Sequence, residues 1–221
     1  MLTEAVLTGA VSDLAAGLLL LPLLPLLLKR DSAKKREKGL WLLFFGFLTA
    51  ANLGGFAVHY FCRTPFALRL CWAPLYALLY GTACSFFLLT AEIRREGRLP
   101  KTPAEKALLW GTVGLLALTV AIESGFGRDA ILLFVGYAAL LGLAALGMLV
   151  RPAMKGNRTA RGCFFALLPL LPAGYFQLTR NASVKLLWEF DHNGLTHLFV
   201  IVAELWFFVV AMRSLRSLRE K

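Results

Sequence analysis

Residues 39–62 read GLWLLFFGFLTAANLGGFAVHYFC, a run without one Asp, Glu, Lys or Arg. A helix needs about 20 largely apolar residues to cross a bilayer, and this run supplies them. Six more apolar stretches occupy 5–28, 67–92, 107–125, 130–150, 163–179 and 194–212. With 58% hydrophobic residues overall, the chain is predicted to be an all-α integral membrane protein, a seven-transmembrane-helix bundle. Short connections leave no room for a soluble part, so residues 1–221 read as one domain. The first stretch is not expected to be a cleavable signal, because no basic residue precedes it and its apolar run is too long.

The formal net charge of +11 is unevenly spread. Lys29, Arg30, Lys34, Lys35, Arg36 and Lys38 follow the first stretch; five more Lys/Arg lie within 94–106, four within 151–161 and four within 213–221. The opposite face would carry only Arg63, Arg69, Arg128, Arg180 and Lys185. Positive charge collects on the cytoplasmic side, so the amino terminus is predicted outside and the carboxyl terminus inside. The basic loops read as topology signals in contact with anionic lipid. They are too short to build the folded basic surface that nucleic-acid binding requires. The Leu/Ala/Arg-rich usage suggests a bacterial protein, and hence an inner-membrane location.

Cysteines and glycans contribute little. Cys62 and Cys71 flank a short outer turn, where a disulfide and two unpaired thiols are both open. Cys84 and Cys163 read as packing residues, and no CxxC spacing points to a thiolate metal site. Asn181-Ala-Ser is a formal glycosylation sequon, relevant only in a eukaryotic host. Pro22 and Pro25 in the first stretch, and Pro169 and Pro172 in the sixth, are expected to kink their helices. Thr102, Ala104 and Glu105 read as a helix start. The outer segment before the last stretch, with Val184, Leu186, Leu187, Trp188 and Phe190, is apolar enough to lie along the interface. Trp188 would anchor it, and Asp191 or Asn193 would cap the last helix.

Ionisable residues inside spans are costly and call for a functional hypothesis. The chain has three histidines, His59, His192 and His197. The predicted topology brings all three near the outer end of the bundle, within several Å of one plane. Five residues separate His192 from His197, a rotation of about 140° on a regular helix. They share a site only if His192 precedes the helix and turns inward, a bend that Asn193-Gly194 permits. Asp13 lies within the apolar core of the first stretch, either as a functional acid or as a hydrogen-bond partner of a neighbour such as Asn52. Glu123, Glu189, Asp191 and Glu204 are further carboxylates near that depth, Glu204 being deeper on the face of His197.

Seven spans, a His late in the second and a His pair at the start of the seventh make the chain resemble the CREST superfamily. That group holds the alkaline ceramidases and the progestin and adipoQ receptors. Asp191-His192-Asn193-Gly194-Leu195-Thr196-His197 is similar to a His-Asn-x-x-x-His pattern of bacterial relatives, and Ser12-Asp13 would correspond to their polar pair near the amino terminus. The resemblance implies a zinc ion on three histidines and cleavage of a lipid amide. The chain departs from the pattern in three respects. The pair is five apart where the family commonly has four, Gly55 stands where the family has Ser, and the family's third-span Asp has no counterpart among residues 70–89.

The expectation is therefore a zinc-dependent hydrolase of a ceramide-like lipid amide or ester, working on membrane lipid from the outer leaflet. His59, His192 and His197 would bind Zn²⁺ and leave the fourth position to water. Asp13 would orient that water and shuttle the proton. Trp72, Tyr76 and Tyr80 would line an acyl cavity, or simply pack. A haem protein with His59 and His197 as axial ligands, and a receptor or scaffold with a structural zinc, are the alternatives.

Overall fold

Long apolar runs fold as helices because every backbone polar group can then be satisfied within its own segment. The computed structural model describes residues 4–62, 64–95, 103–126, 130–179, 184–185 and 189–215. In chain order the helices are α1 (Glu4–Leu20), α2 (Leu23–Lys29), α3 (Lys35–Phe61), α4 (Pro65–Arg95), α5 (Pro103–Ala121), α6 (Ile131–Met154), α7 (Arg158–Leu167), α8 (Leu170–Thr179) and α9 (His192–Ser214). A π-helical turn, Ile122–Phe126, ends α5. Taking α1 with α2 and α7 with α8 as single spans, seven helical segments are long and apolar enough to cross a membrane. The two interruptions fall at Pro22 and next to Pro169, where the ring removes a helical donor. Pro74 and Pro152, by contrast, lie inside continuous helices.

The described residues of the segment before α9 form a two-residue antiparallel ladder, β1 (Val184–Lys185) with β2 (Glu189–Phe190), pairing Val184 with Phe190. Phe190 is buried, and β2 packs on α1 and α9. Trp188 and the Asn181 sequon lie outside the described residues. So do Thr102 and the basic residues Arg63, Arg98, Lys101, Arg128, Arg180, Arg216, Arg219 and Lys221.

Helix α3 is central, with α1 on one side and α4 on the other; α9 closes against α1, α7 and α8. Small residues set these approaches, since close backbones need them in an apolar medium. A Cβ at Gly17 would meet Leu53 Cδ2 at 2.6 Å, and one at Gly162 would meet Val210 Cγ2 at 2.6 Å. The main core fills the inner half with Trp41, Phe44, Phe45, Phe86, Leu89 and Phe207. Trp41 stacks on Phe45 with centroids 5.8 Å apart, and Phe86 meets Phe207 edge-on at 4.8 Å. Outward faces are apolar too: Trp110 is 76% and Leu140 70% exposed. A surface of that kind suits lipid and not water.

At the end of the bundle where α3 begins and α4 ends, the charges of these helices find one another. Arg36 bridges Glu92 and Glu105, each at 3.0 Å, and Arg95 also pairs with Glu105. Glu37 takes Lys34 at 3.1 Å and the Ser214 hydroxyl. At the opposite end a disulfide joins Cys62 to Cys71 across the α3–α4 turn.

Candidate functional site

Three helices bring polar side chains to one apolar seam. On α3, Asn52, Gly55 and His59 recur at a spacing of three and four, which aligns them on one face. On α9, His197 and Glu204 are two turns apart on one face. Ser12 and Asp13 come from α1.

Asp13 is 6% exposed and stands at the centre. Its Oδ1 lies 3.4 Å from His197 Nε2, and its Oδ2 lies 3.9 Å from His59 Nε2. Both distances exceed a charge-assisted hydrogen bond of about 2.7–2.9 Å, and among the described residues no other donor reaches the carboxylate. Gly55 makes the room: a Cβ there would fall 2.5 Å from Asp13 Oδ2 and 2.9 Å from its Cγ. The imidazoles keep some exposure, 25% for His59 and 21% for His197, so the centre is open at its rim.

The contacts of Ser12 favour one tautomer of His197. Ser12 Oγ donates to the Gly9 carbonyl at 2.7 Å and lies 2.8 Å from His197 Nδ1. With its proton committed to Gly9, Ser12 can only accept from Nδ1–H, which leaves Nε2 as a lone pair facing Asp13. Metal-binding imidazoles are oriented this way, by an outer partner on the other nitrogen. Deeper in the seam, Asn52 Nδ2 donates to Glu204 Oε1 at 2.9 Å. Asn52 is thus the partner of Glu204 and not of Asp13.

His192 differs from expectation. It does not precede α9 and bend inward; it is the first residue of that helix. Asp191 is the cap, its side chain accepting from Gly194 N at 2.9 Å, and the His192 carbonyl accepts from Thr196 Oγ1 at 2.8 Å. Regular helix therefore holds the imidazoles of His192 and His197 about 140° apart. Among the described residues, no contact ties His192 to Asp13, His59 or His197. Nor does any group of three or more His, Cys, Asp and Glu side chains there stand at the spacing of a metal site. Neither the three histidines nor His59, His197 and Asp13 stand at metal-ligand spacing in this arrangement. Two imidazole nitrogens and one carboxylate do converge, which is the donor chemistry of a His₂–carboxylate site. Bonds of 2.0–2.1 Å at tetrahedral angles place ligand atoms about 3.3 Å apart. The His197 edge is near that value and the His59 edge is longer.

The other carboxylates serve elsewhere. Glu123, in the π-helical turn, accepts from Tyr76 Oη at 3.2 Å and from Ala130 N at 2.9 Å. Tyr80 meets Thr119 at 2.8 Å and Tyr137 meets Thr112 at 2.7 Å, so these tyrosines bind α5 and α6 to the bundle. Trp72 connects the two regions, edge-on to His59 at 6.0 Å and 5.4 Å from Tyr76. The Glu189 side chain lies outside the described residues.

The chain belongs to DUF6962, a family of unknown function, whose model matches residues 8–217 and so includes every residue of this seam. No curated protein and no solved structure matches it.

Proposed function

We propose that the chain is a multi-pass membrane protein whose α1–α3–α9 seam is a hydrolytic zinc centre acting on the acyl bond of a lipid, an amide or an ester. The supporting observation is the turning of two imidazole Nε2 atoms toward one buried carboxylate that no other described donor reaches. A buried anion so placed calls for a cation or a proton. In this reading the ligands are His59, His197 and Asp13, with His192 outside the set. The ceramidase-like resemblance supports the lipid-amide class, and the depth of the seam in an apolar bundle supports a lipid over a soluble substrate.

Each residue then has a task. Ser12 holds His197 in the tautomer that presents Nε2. Gly55 leaves the space in which the carboxylate sits. Asp13 turns one oxygen toward each imidazole, and the oxygen on the longer His59 side is the one proposed to take a proton from the attacking water and pass it to the leaving group. A bound zinc would supply Lewis-acid polarisation and a water that ionises near neutral pH. The orientation proposed is amino terminus outside, which puts the Cys62–Cys71 disulfide on the side away from the basic loops. An oxidising compartment on that side is consistent with the bond.

Zinc content, thermal stability and turnover of ceramide and phospholipid, measured on one preparation, test the proposal. Wild type is expected to carry about one zinc per chain, the stoichiometry of a single His₂–carboxylate site. His197→Ala and Asp13→Asn should lose it while remaining folded, and His192→Ala should keep it. Loss of zinc in His192→Ala with retention in Asp13→Asn would restore the three-histidine set. Metal-free wild type would remove zinc altogether. Full zinc without turnover of any lipid would make the centre structural, as in a receptor.

A further inference from the structure

The two imidazoles that face Asp13 are held differently. Ser12 Oγ, 2.8 Å from Nδ1, orients His197. Among the described residues no hydrogen bond reaches the His59 ring, and Asp13 stands 3.9 Å away. What meets that ring is Trp72, edge-on, with centroids 6.0 Å apart and planes at 86°. We propose that Trp72 is the positioning residue of His59 and that the Cys62–Cys71 bond clamps it there, so that the redox state of the disulfide decides whether this imidazole is held.

The contact and the clamp join the same two helices. Cys62 follows His59 by three residues at the end of α3, and Cys71 directly precedes Trp72 on α4. Edge-to-face packing is a preferred aromatic geometry. On its other side Trp72 meets Tyr76 at 5.4 Å, a buried residue whose hydroxyl donates to Glu123 at 3.2 Å. Trp72 thus stands between a fixed tyrosine and a histidine that has no other close neighbour to orient it.

Without the bond, little else ties this part of α4 to α3. Phe66, Leu68 and Leu70 of its first turns are exposed. Pro74 lies inside α4 and denies the Leu70 carbonyl its helical donor, which loosens the turn that carries Cys71 and Trp72. A groove of about 230 Å³ separates the helices here, with both cysteines and Pro74 in its wall. It gives the turn room to move and a reductant a way to the sulfurs. The step is an exchange with a protein dithiol of the Cys-x-x-Cys class: two electrons and two protons pass to Cys62 and Cys71, and the donor closes its own disulfide. The chemical use of a held His59 rests on the function proposed above; the clamp itself does not.

Three histidines in the chain make the test direct. Isotope-labelled imidazoles of the full chain in mild detergent, stripped of metal by a chelator, give three nuclear magnetic resonance signals, assigned with single His→Gln variants. Dithiothreitol is expected to move the His59 signal toward that of a solvated imidazole and to leave His192 in place. Cys62→Ser should show the moved signal with or without the reductant. In oxidised protein Trp72→Leu should reproduce it, and Trp72→Phe, which keeps an aromatic edge, should retain roughly half of the wild-type displacement. A His59 signal indifferent to reduction, while thiol counting finds the bond opened, would overturn the clamp. Equal movement of all three signals would do the same, by showing general loosening. An unmoved signal in Trp72→Leu would remove Trp72 as the positioning residue. Since no metal or turnover enters these readings, failure of the zinc centre would show separately, in metal content.

Discussion

A methyl group at position 55 would stand 2.5 Å from Asp13 Oδ2, well inside contact distance, so the absence of a side chain there is a condition for the buried carboxylate. The acid of a neighbouring helix reaches into the space that a side chain at position 55 would fill. Gly55→Ala is expected to destabilise the protein by about 1–3 kcal/mol through overpacking. Most of that loss should vanish in an Asp13→Ala background, where the obstructing group is gone. A double-mutant cycle by thermal unfolding measures the coupling, and strict additivity would show that the two residues do not compete for the space. The sequence made Asp13 visible through its isolation in an apolar run, and Gly55 through its departure from a pattern. It did not show that one explains the other, because their meeting depends on how α1 rotates against α3. The five-residue interval between His192 and His197 carried its geometric warning in plain view; the helix simply continues back to His192 once Asp191 caps it.

Helices and their interruptions were readable from apolar length and from Pro22 and Pro169, since both act through local backbone chemistry. Which helices touch was not readable. Asn52 and Glu204 meet across 152 residues of sequence, and apolar periodicity is nearly silent on helices that are apolar all round. The ladder before α9 was not readable for the related reason that its pairing, Val184 with Phe190, rests on two residues per strand. Glu105 shows the same limit in a helix start. Its local context suggested an N-terminal signal, yet the side chain is buried and receives both Arg36 and Arg95. Removing it would take one ion-pair partner from each of Arg36 and Arg95 at the junction of α3, α4 and α5. Glu105→Ala should therefore cost about 2–3 kcal/mol, the penalty of breaking a largely buried ion pair softened by Glu92, which still serves Arg36. A loss below half a kcal/mol in detergent unfolding would show the cluster to be a solvated surface network.

The molecule as a whole is apolar within and apolar around its waist, with charge gathered at one end. In the sequence, 19 of its 24 basic residues fall in the connections and tail that the positive-inside rule assigns to the cytoplasm. A fluorescent protein that matures only in the cytoplasm, fused after Lys221, should shine; a dark fusion at normal expression would invert the assignment and place the seam at the opposite membrane face. The Cys62–Cys71 bond adds a temporal dimension to this architecture. It closes a turn whose ends are nine residues apart, and His59 lies one turn before the first of those ends on α3. In an amino-terminus-out chain that turn is reducing territory until α3 and α4 have both been threaded through the bilayer, and the bond can be made only afterwards. With the amino terminus outside, as proposed, insertion of α3 and α4 precedes oxidation, and the bond then ties together two helix ends one turn from His59.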